Sequence, residues 1–407
     1  MFVLLCKGIL FFISINSLKR CIFSISLFIC NYQIIATFLL VHTLNKLNQM
    51  KYILILVSSL FILLTSCKTY KKDIQISDPS NFTVAFYNVE NLFDTVHAQG
   101  KSDEEFTPHS KKKWNTKKYF HKLEQLSSVI DSIGGQYLPD VIGLEEVENR
   151  AVLEDLVKQK SISSANYQII HYESPDFRGI DNAMLYNPNS FQPLFQKAIP
   201  INMPDSINMM GKHKVTSRDI LYVKGLVYGR DTLHIFVNHW TSMYFGEKET
   251  VSHRKYCALV AKRQIDSIIA VYPEANILLG GDLNEDVFGP ATLGVMNPDM
   301  AYDEPKNDRI YNLAHYLYTE KKQGTYNYRG VWGTLDHLFV SGHLLNQNTN
   351  FHTSKDDAHV FNSMMVMNKY NNRNGKGIRP NRSYGGKNYY GGFSDHLPVY
   401  IHFSIRK

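Results

Sequence analysis

Polar side chains follow short apolar runs at four places that span most of the chain. Each run has the length and the β-branched or aromatic residues of a buried β-strand. A carboxylate or amide that directly follows such a strand lies at the edge of a sheet and faces a cleft. The sequence therefore predicts a sheet edge that carries several acids, amides and histidines. The segments are 86–94, 140–148, 278–284, and 335–341 together with 394–399.

Each of these segments, taken alone, has an ordinary structural explanation. A single Gly-Asp-Leu-Asn run, as at 281–284, is more often a turn than a site. A single Asp-His pair is more often a satisfied hydrogen bond than a catalytic pair. The prediction of chemistry therefore depends on the whole set and on its order.

Helical and strand patterns alternate between these segments. Apolar residues with helical spacing predict helices over 117–133 and 251–271. Several strands follow one another without a helix, which favours mixed sheets over a purely parallel one. Residues 365–393, rich in Asn, Gly, Tyr and Arg, are predicted to form a long functional or mobile loop. The predicted strands are 83–87, 141–144, 167–171, 182–186, 220–227, 233–238 and 276–279.

The charge of the chain is unevenly placed. A chain of 407 residues that is 44% apolar can bury a full core, and it carries 44 Lys and Arg against 37 Asp and Glu. Five of the cations, and no acid, lie within residues 1–67. The rest is nearly neutral, so the charge of the domain does not by itself favour a polyanion. Binding of nucleic acid has to be argued from local features.

Residues 50–67 have the pattern of an export signal. Met50 and Lys51 precede the apolar run 52–64, and Leu64-Thr65-Ser66-Cys67 resembles the lipobox of bacterial lipoproteins. This resemblance implies cleavage before Cys67 and attachment of a lipid to its sulfur. An ordinary transmembrane anchor is the alternative, although the apolar run is short for a spanning helix.

The rest of the chain divides around this signal. Residues 1–49 are a hydrophobic extension, best explained by a start codon placed too far upstream. Residues 68–80 are a polar, lysine-rich tether, and the domain is predicted over 81–404. Apart from Cys67, the part of the chain after residue 49 contains only Cys257, which leaves no partner for a disulfide once Cys67 is lipidated.

The strand-end motifs, in their order, resemble the DNase I-like endonuclease/exonuclease/phosphatase superfamily over about residues 82–403. This resemblance implies a four-layer α/β sandwich of two mixed sheets flanked by helices. It also implies a hydrolase of phosphoester bonds that uses activated water. The matching motifs are Tyr87-Asn88-Val89-Glu90, Leu144-Glu145-Glu146-Val147, Asn238-His239, Gly281-Asp282-Leu283-Asn284, Leu335-Asp336-His337 and Ser394-Asp395-His396.

The resemblance implies a metal site and a catalytic group. The metal would be Mg²⁺ or Mn²⁺, with Ca²⁺ as a further candidate, and hard oxygen ligands suit these ions. The implied ligands are Glu146, Asn88, Glu90 and Asp395. Asp282 would orient or deprotonate the attacking water, Asn284 would hold a phosphate oxygen, and His396 would lie at the phosphate with Asp336 fixing its tautomer. His239 would be a general acid or a phosphate contact, and its carboxylate partner is not identified by the sequence.

Some positions are less decisive. Arg178 and Arg218 lie where the family places phosphate contacts, but a solvated charge at a strand end explains each equally well. Glu145, Glu148 and Asp94 are expected at the surface or behind the site. His337 stands where the family frequently has a tyrosine, and no catalytic role is assigned to it.

The most favoured function is that of a membrane-anchored endonuclease or phosphodiesterase of the cell envelope, monomeric, with nucleic acid as substrate. Residues 373–390 support this, since they interleave five cations with tyrosines and contain no acid. A phosphatase or sphingomyelinase-like phospholipase, for which a membrane anchor is well suited, is the second hypothesis. An inactive binding module at the surface is the third.

Overall fold

The computed structural model describes residues 3–6, 9–12, 80–210, 213–372 and 375–406. The chain divides into two units, Met1–Asp73 and Ile74–Lys407. In the first unit, strand β1 (Val3–Cys6) pairs antiparallel with strand β2 (Ile9–Phe12). The predicted signal peptide with Cys67, and the tether as far as residue 79, lie outside the described residues. Among the helices that the structure describes, none is both long and apolar enough to cross a membrane.

The first large sheet of the second unit is mixed. Its strands are β3 (Asn81–Leu92), β4 (Val141–Val147), β5 (Gln168–His171), β6 (Asp181–Tyr186), β17 (Phe351–His352), β18 (Ala358–Val360) and β23 (Val399–Ile405). Their order is β17-β23-β3-β4-β6-β5, with β18 also on β23. β3 and β4 run parallel, and the other neighbours are antiparallel.

The second large sheet repeats this plan. Its strands are β7 (Phe191–Ile199), β10 (Ile220–Val227), β11 (Asp231–His239), β12 (Asn276–Asp282), β13 (Ile310–Asn312) and β16 (Asp336–Ser341). Their order is β13-β16-β12-β11-β10-β7. Here β11 and β12 are the parallel pair, at the centre of an otherwise antiparallel sheet. Each sheet thus has one central place where the carboxyl ends of neighbouring strands meet.

The two sheets pack face to face, and helices cover their outer faces. Phe86 of β3 marks the close approach, because a Cβ atom on Gly280 of β12 would lie 2.5 Å from its ring. The outer helices are α1 (Thr116–Ser132) and α2 (Arg150–Val157) on the first sheet and α3 (Glu247–Val271) on the second. The predicted four-layer α/β sandwich is confirmed.

Short elements connect these layers. Two further α-helices are α4 (Leu313–Thr319) and α5 (Gly342–Leu345), and Pro290–Val295 is a π-helix. The 3₁₀ helices are Glu104–Phe106, Ser163–Ala165, Met243–Phe245, Lys355–Asp357 and Met364–Val366. A small strand pair is formed by β8 (Met209–Met210) and β9 (His213–Lys214).

The segment predicted as a long loop, 365–393, is instead built largely of hairpins. β19 (Met367–Asn372) pairs with β20 (Gly375–Pro380), and β21 (Tyr384–Gly385) pairs with β22 (Asn388–Tyr389). Another hairpin, β14 (Tyr326–Tyr328) with β15 (Val331–Gly333), precedes β16. The loop prediction was wrong because hydrogen bonds between backbones can pair two strands without an alternation of apolar and polar side chains. Asn and Gly, which usually indicate loops, are frequent in these strands.

Candidate active site

The carboxyl ends of the two parallel strand pairs bring the predicted residues together. Asn88 lies on β3 and Glu146 on β4 of the first sheet, while His239 and Asp282 end β11 and β12 of the second. The backbone is unusual here, because Glu146 (φ 65°) and Asn284 (φ 47°) adopt left-handed conformations. Such conformations are costly for residues other than glycine and concentrate at functional sites.

Asp282 lies at the centre of the cluster. Its Oδ2 accepts hydrogen bonds from Nδ2 of Asn88 at 2.9 Å and of Asn284 at 3.1 Å, and its Oδ1 accepts from the Asn284 backbone N–H at 2.8 Å. Burial raises the pKa of Asp282 to about 7, against the opposing charge of His396. A carboxylate with a pKa near neutral is suited to take up a proton at that pH.

His396 lies on one side of Asp282 and is held by a second acid. Its Nδ1 is 2.8 Å from Oδ2 of Asp336, and its Nε2 is 3.7 Å from Oδ2 of Asp282. Burial works against the charged ring, but the charges of Asp336 and Asp282 raise the pKa of His396 well above its usual value. The charged form of the imidazole is therefore favoured, and Nε2 lies toward the cluster.

His239 also approaches Asp282, and its pKa is shifted in the opposite direction. Its Nε2 is 3.5 Å from Oδ2 of Asp282 and 3.9 Å from Oε1 of Glu146. Burial, together with the charges of Arg218 and Arg178, lowers the pKa of His239 well below its usual value. Its buried Nδ1 has no hydrogen-bond partner. The carboxylates that the sequence left unidentified are thus Asp282 and Glu146, both on the Nε2 side.

Arg178 and Arg218, the two predicted phosphate contacts, differ in their exposure to solvent. Arg218 is 4% exposed; it donates to the main-chain oxygen of Trp240 and, at 3.2 Å, to Asp176. Arg178 is 31% exposed, and its Nη1 is 3.9 Å from Oε1 of Glu146. Arg178 can therefore reach a substrate, whereas the guanidinium of Arg218 is used to hold the turn after His239. Asp176, which the sequence did not single out, contacts both arginines.

Glu145 and Glu146 occupy different environments although they are adjacent. Glu146 Oε2 accepts the Asn91 backbone N–H at 2.9 Å, and its side chain is partly exposed. Glu145 is fully buried, and neither of its carboxylate oxygens has a hydrogen-bond partner. Burial, with the charges of Asp336 and Asp282, raises the pKa of Glu145 well above its usual value. Glu145 and Glu148 were expected at the surface or behind the site, and both are buried, which agrees with the second alternative.

Glu90 binds the main chain of the segment that contains the later hairpins. Its Oε2 accepts the Ser383 N–H at 2.6 Å and its Oε1 accepts the Tyr384 N–H at 3.2 Å. Lys122 of α1, 2% exposed, donates to Ser383 Oγ and to the Phe393 oxygen. Sequence reasoning missed Lys122, although a lysine within the apolar stripe of α1 was an available signal.

Asp395 is held on the same side of the cluster. Arg382 donates from Nη2 to Oδ2 of Asp395 at 2.8 Å, and its Nε lies 3.6 Å from Oε1 of Glu90. The two acids predicted as metal ligands beside Asn88 are therefore linked to each other by one guanidinium. The unassigned His337 has a structural role, with Nδ1 3.0 Å from Asn312 Nδ2 and Nε2 2.9 Å from the Glu285 oxygen.

This arrangement agrees with a family comparison. A model of the endonuclease/exonuclease/phosphatase family matches residues 83–405, which include every element of both large sheets except the first residues of β3. The chain belongs to this family. Its members are hydrolases of phosphoester bonds and typically depend on a divalent metal.

Several solved structures are similar to this member of the endonuclease/exonuclease/phosphatase family. A mannosyl-6-phosphatase from Bacteroides thetaiotaomicron is 15% identical, with a TM-score of 0.49, over 80% of this chain and 100% of that chain. A family protein from the same organism is 14% identical, with a TM-score of 0.47, over 81% and 100%. A D. rerio TDP2 humanised by 14 mutations is 14% identical, with a TM-score of 0.47, over 80% and 99%. No curated protein matches the chain significantly.

The residues of the cluster fit the divalent metal that the family implies. Asp282, Glu145 and Glu146 contribute carboxylates in a small, largely buried volume, and Glu145 has no hydrogen-bond donor at either oxygen. Burial raises the pKa of Asp282 and of Glu145, and the charge of Asp336 adds to the rise. A divalent cation at Glu146 would stabilise the ionised carboxylates, and oxygen donors suit Mg²⁺ or Mn²⁺. The individual ligand assignments stay predictions.

Proposed function

We propose that this protein is a metal-dependent phosphodiesterase that cleaves nucleic acid. The observation that carries the proposal is that two buried histidines, His239 and His396, both place Nε2 near Oδ2 of Asp282. Their Nε2 atoms lie 3.5 Å and 3.7 Å from Oδ2 of Asp282. A phosphoester between them would have a proton acceptor beside the attacking water and a cationic donor at the phosphate.

Each residue has a distinct task in this proposal. Asp282, whose Oδ2 lies near both imidazoles, takes a proton from the attacking water. Asn88 and Asn284 orient the Asp282 carboxylate through their amide groups. The cationic His396, oriented by Asp336, donates a hydrogen bond to a phosphate oxygen. His239, neutral because its pKa is lowered, is better suited to contact the phosphate than to act as general acid.

The metal would be held by Glu146, with Asn88 and Asp395 near it. When bound, a divalent ion stabilises the negative charge that develops on the phosphate in the transition state. Glu90 is a weaker candidate ligand, because both of its oxygens accept main-chain N–H groups. Arg178, which is partly exposed beside Glu146, would bind a second phosphate oxygen.

The experiment compares substrates of different classes. The chain that begins after Cys67 is assayed on DNA, RNA, sphingomyelin and a phosphomonoester, each with Mg²⁺, Mn²⁺, Ca²⁺ or a chelator. We expect cleavage of nucleic acid and of bis(4-nitrophenyl) phosphate with Mg²⁺ or Mn²⁺, and none with chelator. Faster turnover of sphingomyelin or of the monoester would show that the enzyme is a phospholipase or a phosphatase and not a nuclease. Absence of any metal-dependent hydrolysis would leave a binding module.

We also propose that the enzyme is a lipoprotein of the cell envelope, anchored through Cys67. The support is the sequence alone: a cation, a short apolar run and Leu64-Thr65-Ser66-Cys67. The polar stretch from residue 68 to 80 would then separate the lipid from the domain.

A further inference from the structure

Arg382 is a cation that is fixed between two acids of the active site. It is one of five cations in residues 373–390, of which Arg373 lies outside the described residues. Nη2 of Arg382 donates to Oδ2 of Asp395 at 2.8 Å, and its Nε lies 3.6 Å from Oε1 of Glu90. Each acid is approached by a different nitrogen, so one guanidinium joins two of the acids that the sequence predicts as metal ligands.

The surroundings of Glu90 supply both hydrogen-bond donors and positive charge. Its Oε2 accepts the Ser383 N–H at 2.6 Å, and its Oε1 accepts the Tyr384 N–H at 3.2 Å. Burial raises the pKa of this carboxyl to about 7, and the charges of Lys122 and Arg382 oppose the rise. Glu90 is therefore compensated by groups of the protein itself.

Glu146 is bound less closely by the protein. Its Oε2 accepts the Asn91 N–H at 2.9 Å. Nη1 of Arg178 and Nε2 of His239 each lie 3.9 Å from its Oε1, which is beyond hydrogen-bonding distance. Oε1 of Glu146 is thus well placed to bind a divalent ion, whereas two other predicted acidic ligands are joined to a guanidinium.

Arg382 lies on the same side of the cluster as His396. Burial and the charge of Asp395 raise the pKa of Tyr326 to about 12, and the charge of Arg382 opposes the rise. The ring centroid of Tyr326 is 4.9 Å from that of His396. The Arg382 side chain is 36% exposed, and its Nη1 takes part in neither acid contact. The guanidinium can therefore contact a phosphate that is bound at the imidazole.

We propose that Arg382 is a built-in cation of the active site, which holds Glu90 and Asp395 in place of a second divalent ion and binds a phosphate oxygen through Nη1. The planar fork of an arginine presents five N–H donors in fixed directions, so one side chain serves two carboxylates and a phosphate. This inference rests on the proposed phosphodiesterase function and adds to it a phosphate contact and a limit on the number of metal ions.

A purely structural tie between β3 and the segment before β23 is the alternative explanation of Arg382. In that case its replacement would lower the stability of the protein and leave the number of bound ions unchanged. The proposed role predicts a gain of one ion instead, because two neighbouring carboxylates that lose their cation attract another.

The test counts the Mn²⁺ ions that the full-length protein binds in detergent. Free Mn²⁺ is measured by electron paramagnetic resonance during a titration without substrate. The proteins are the parent, Arg382→Gln, Glu90→Gln and the double variant Glu90→Gln/Arg382→Gln. Lys387→Gln, at an exposed position of the same segment, is the matched control. Thermal melting checks that each variant folds.

We expect Arg382→Gln to bind one ion more than the parent, and the double variant to lose that ion because one of the two carboxylates is gone. Glu90→Gln and Lys387→Gln should bind as many ions as the parent. Equal numbers for the parent and a folded Arg382→Gln protein would overturn the proposal. So would the loss of an ion in Glu90→Gln alone, a comparison that holds even if Arg382→Gln does not fold.

The affinity for inorganic phosphate, measured by calorimetry with chelator present, tests the contact of Nη1. Arg382→Lys keeps the charge but not the fork, so we expect it to weaken phosphate binding about 10-fold, as the loss of a hydrogen bond to a charged group implies. Lys387→Gln should bind phosphate like the parent. Unchanged affinity in Arg382→Lys would overturn the contact. Neither measurement involves turnover, so a failure of the proposed function, which turnover of DNA tests, remains distinguishable.

Discussion

Asp336 Oδ2 lies 2.8 Å from Nδ1 of His396, and this contact joins the end of one sheet to the other. Asp336 begins β16 of the second sheet, whereas His396 precedes β23 of the first. Because the pair is buried, the carboxylate charge acts on the imidazole with little screening by solvent. The charge state of His396 therefore depends on the correct packing of the two sheets.

Asp336→Asn removes the negative charge from this contact and keeps the shape of the side chain. We expect kcat/KM for a phosphodiester to fall by about 10²–10⁴-fold, the usual contribution of a positioned acid or base. The pKa of His396 is raised by Asp336 in the parent. Loss of that charge lowers it, so His396 loses its proton at lower pH and the alkaline limb of the pH profile moves to lower pH. An unmoved alkaline limb would show that His396 does not set it.

Glu146→Gln and Glu145→Gln form an internal comparison for metal binding. The first removes the partly exposed carboxylate and should abolish activity and weaken binding of Mn²⁺ in calorimetry. The second changes a carboxyl that is fully buried without a hydrogen-bond partner, and should retain most of the activity. Equal metal affinity in the Glu146→Gln protein and the parent would exclude Glu146 as a ligand.

Glu145→Gln should also change the dependence of stability on pH. Because the pKa of Glu145 is raised in the folded protein, folding is favoured when this carboxyl is protonated. Its contribution to stability is therefore complete below the unfolded pKa and is lost as pH rises through the folded pKa. Glutamine has no such dependence, so the variant should gain in melting temperature relative to the parent as pH increases. The measurement is thermal unfolding at several pH values with chelator present, and parallel curves would contradict it.

The strand-end residues of the site were predictable because a local pattern marks them. Asp282 and Asn88 each follow an apolar run, and the sheet brings such ends together. The different burial of Glu145 and Glu146 could not be predicted from the local pattern. Glu146, with its left-handed φ, interrupts the register of β4 between Glu145 and Val147, so simple alternation does not tell which of the acidic neighbours is buried.

Contacts between distant segments were the part that sequence reasoning could not supply. Lys122 donates to Ser383, which is 261 residues away, and Asp176 contacts Arg218, which is 42 residues away. No spacing rule predicts such pairs. The hairpin Met367–Pro380 was missed for a related reason, because its Asn- and Gly-rich strands are held by pairing between backbones rather than by an apolar face.

The lipid anchor can be tested by labelling with palmitate. If Leu64-Thr65-Ser66-Cys67 is a lipobox, the expressed protein should incorporate the label and Cys67→Ala should not. Cys257→Ala is the matched control, since that cysteine is buried in the domain, and it should be labelled like the parent. Equal labelling of the Cys67→Ala protein, or a mature N-terminus upstream of Cys67, would exclude the anchor.

Lys122→Met tests how strongly Lys122 holds the segment after β20 beside the end of β3. The ammonium of Lys122 donates to Ser383 and Phe393, and its charge opposes the rise in the pKa of Glu90, which burial raises to about 7. Lys122→Met leaves the Ser383 hydroxyl and the Phe393 oxygen without this donor, which costs about 1–3 kcal/mol for each buried group left unsatisfied, while Glu90 keeps its contact with Arg382. We therefore expect a loss of this order in the free energy of unfolding, measured in urea.

The matched control for this prediction is Lys117→Met, an exposed position on the same helix, which should change the free energy of unfolding little. The double variant Glu90→Gln/Lys122→Met removes the charge that Lys122→Met leaves behind. If the lysine stabilises the protein mainly by compensating Glu90, the double variant should be more stable than Lys122→Met alone. If the two hydrogen bonds of the lysine matter more than its charge, the double variant should be no more stable. Equal losses for Lys117→Met and Lys122→Met would contradict both explanations, because only Lys122 reaches across to Ser383.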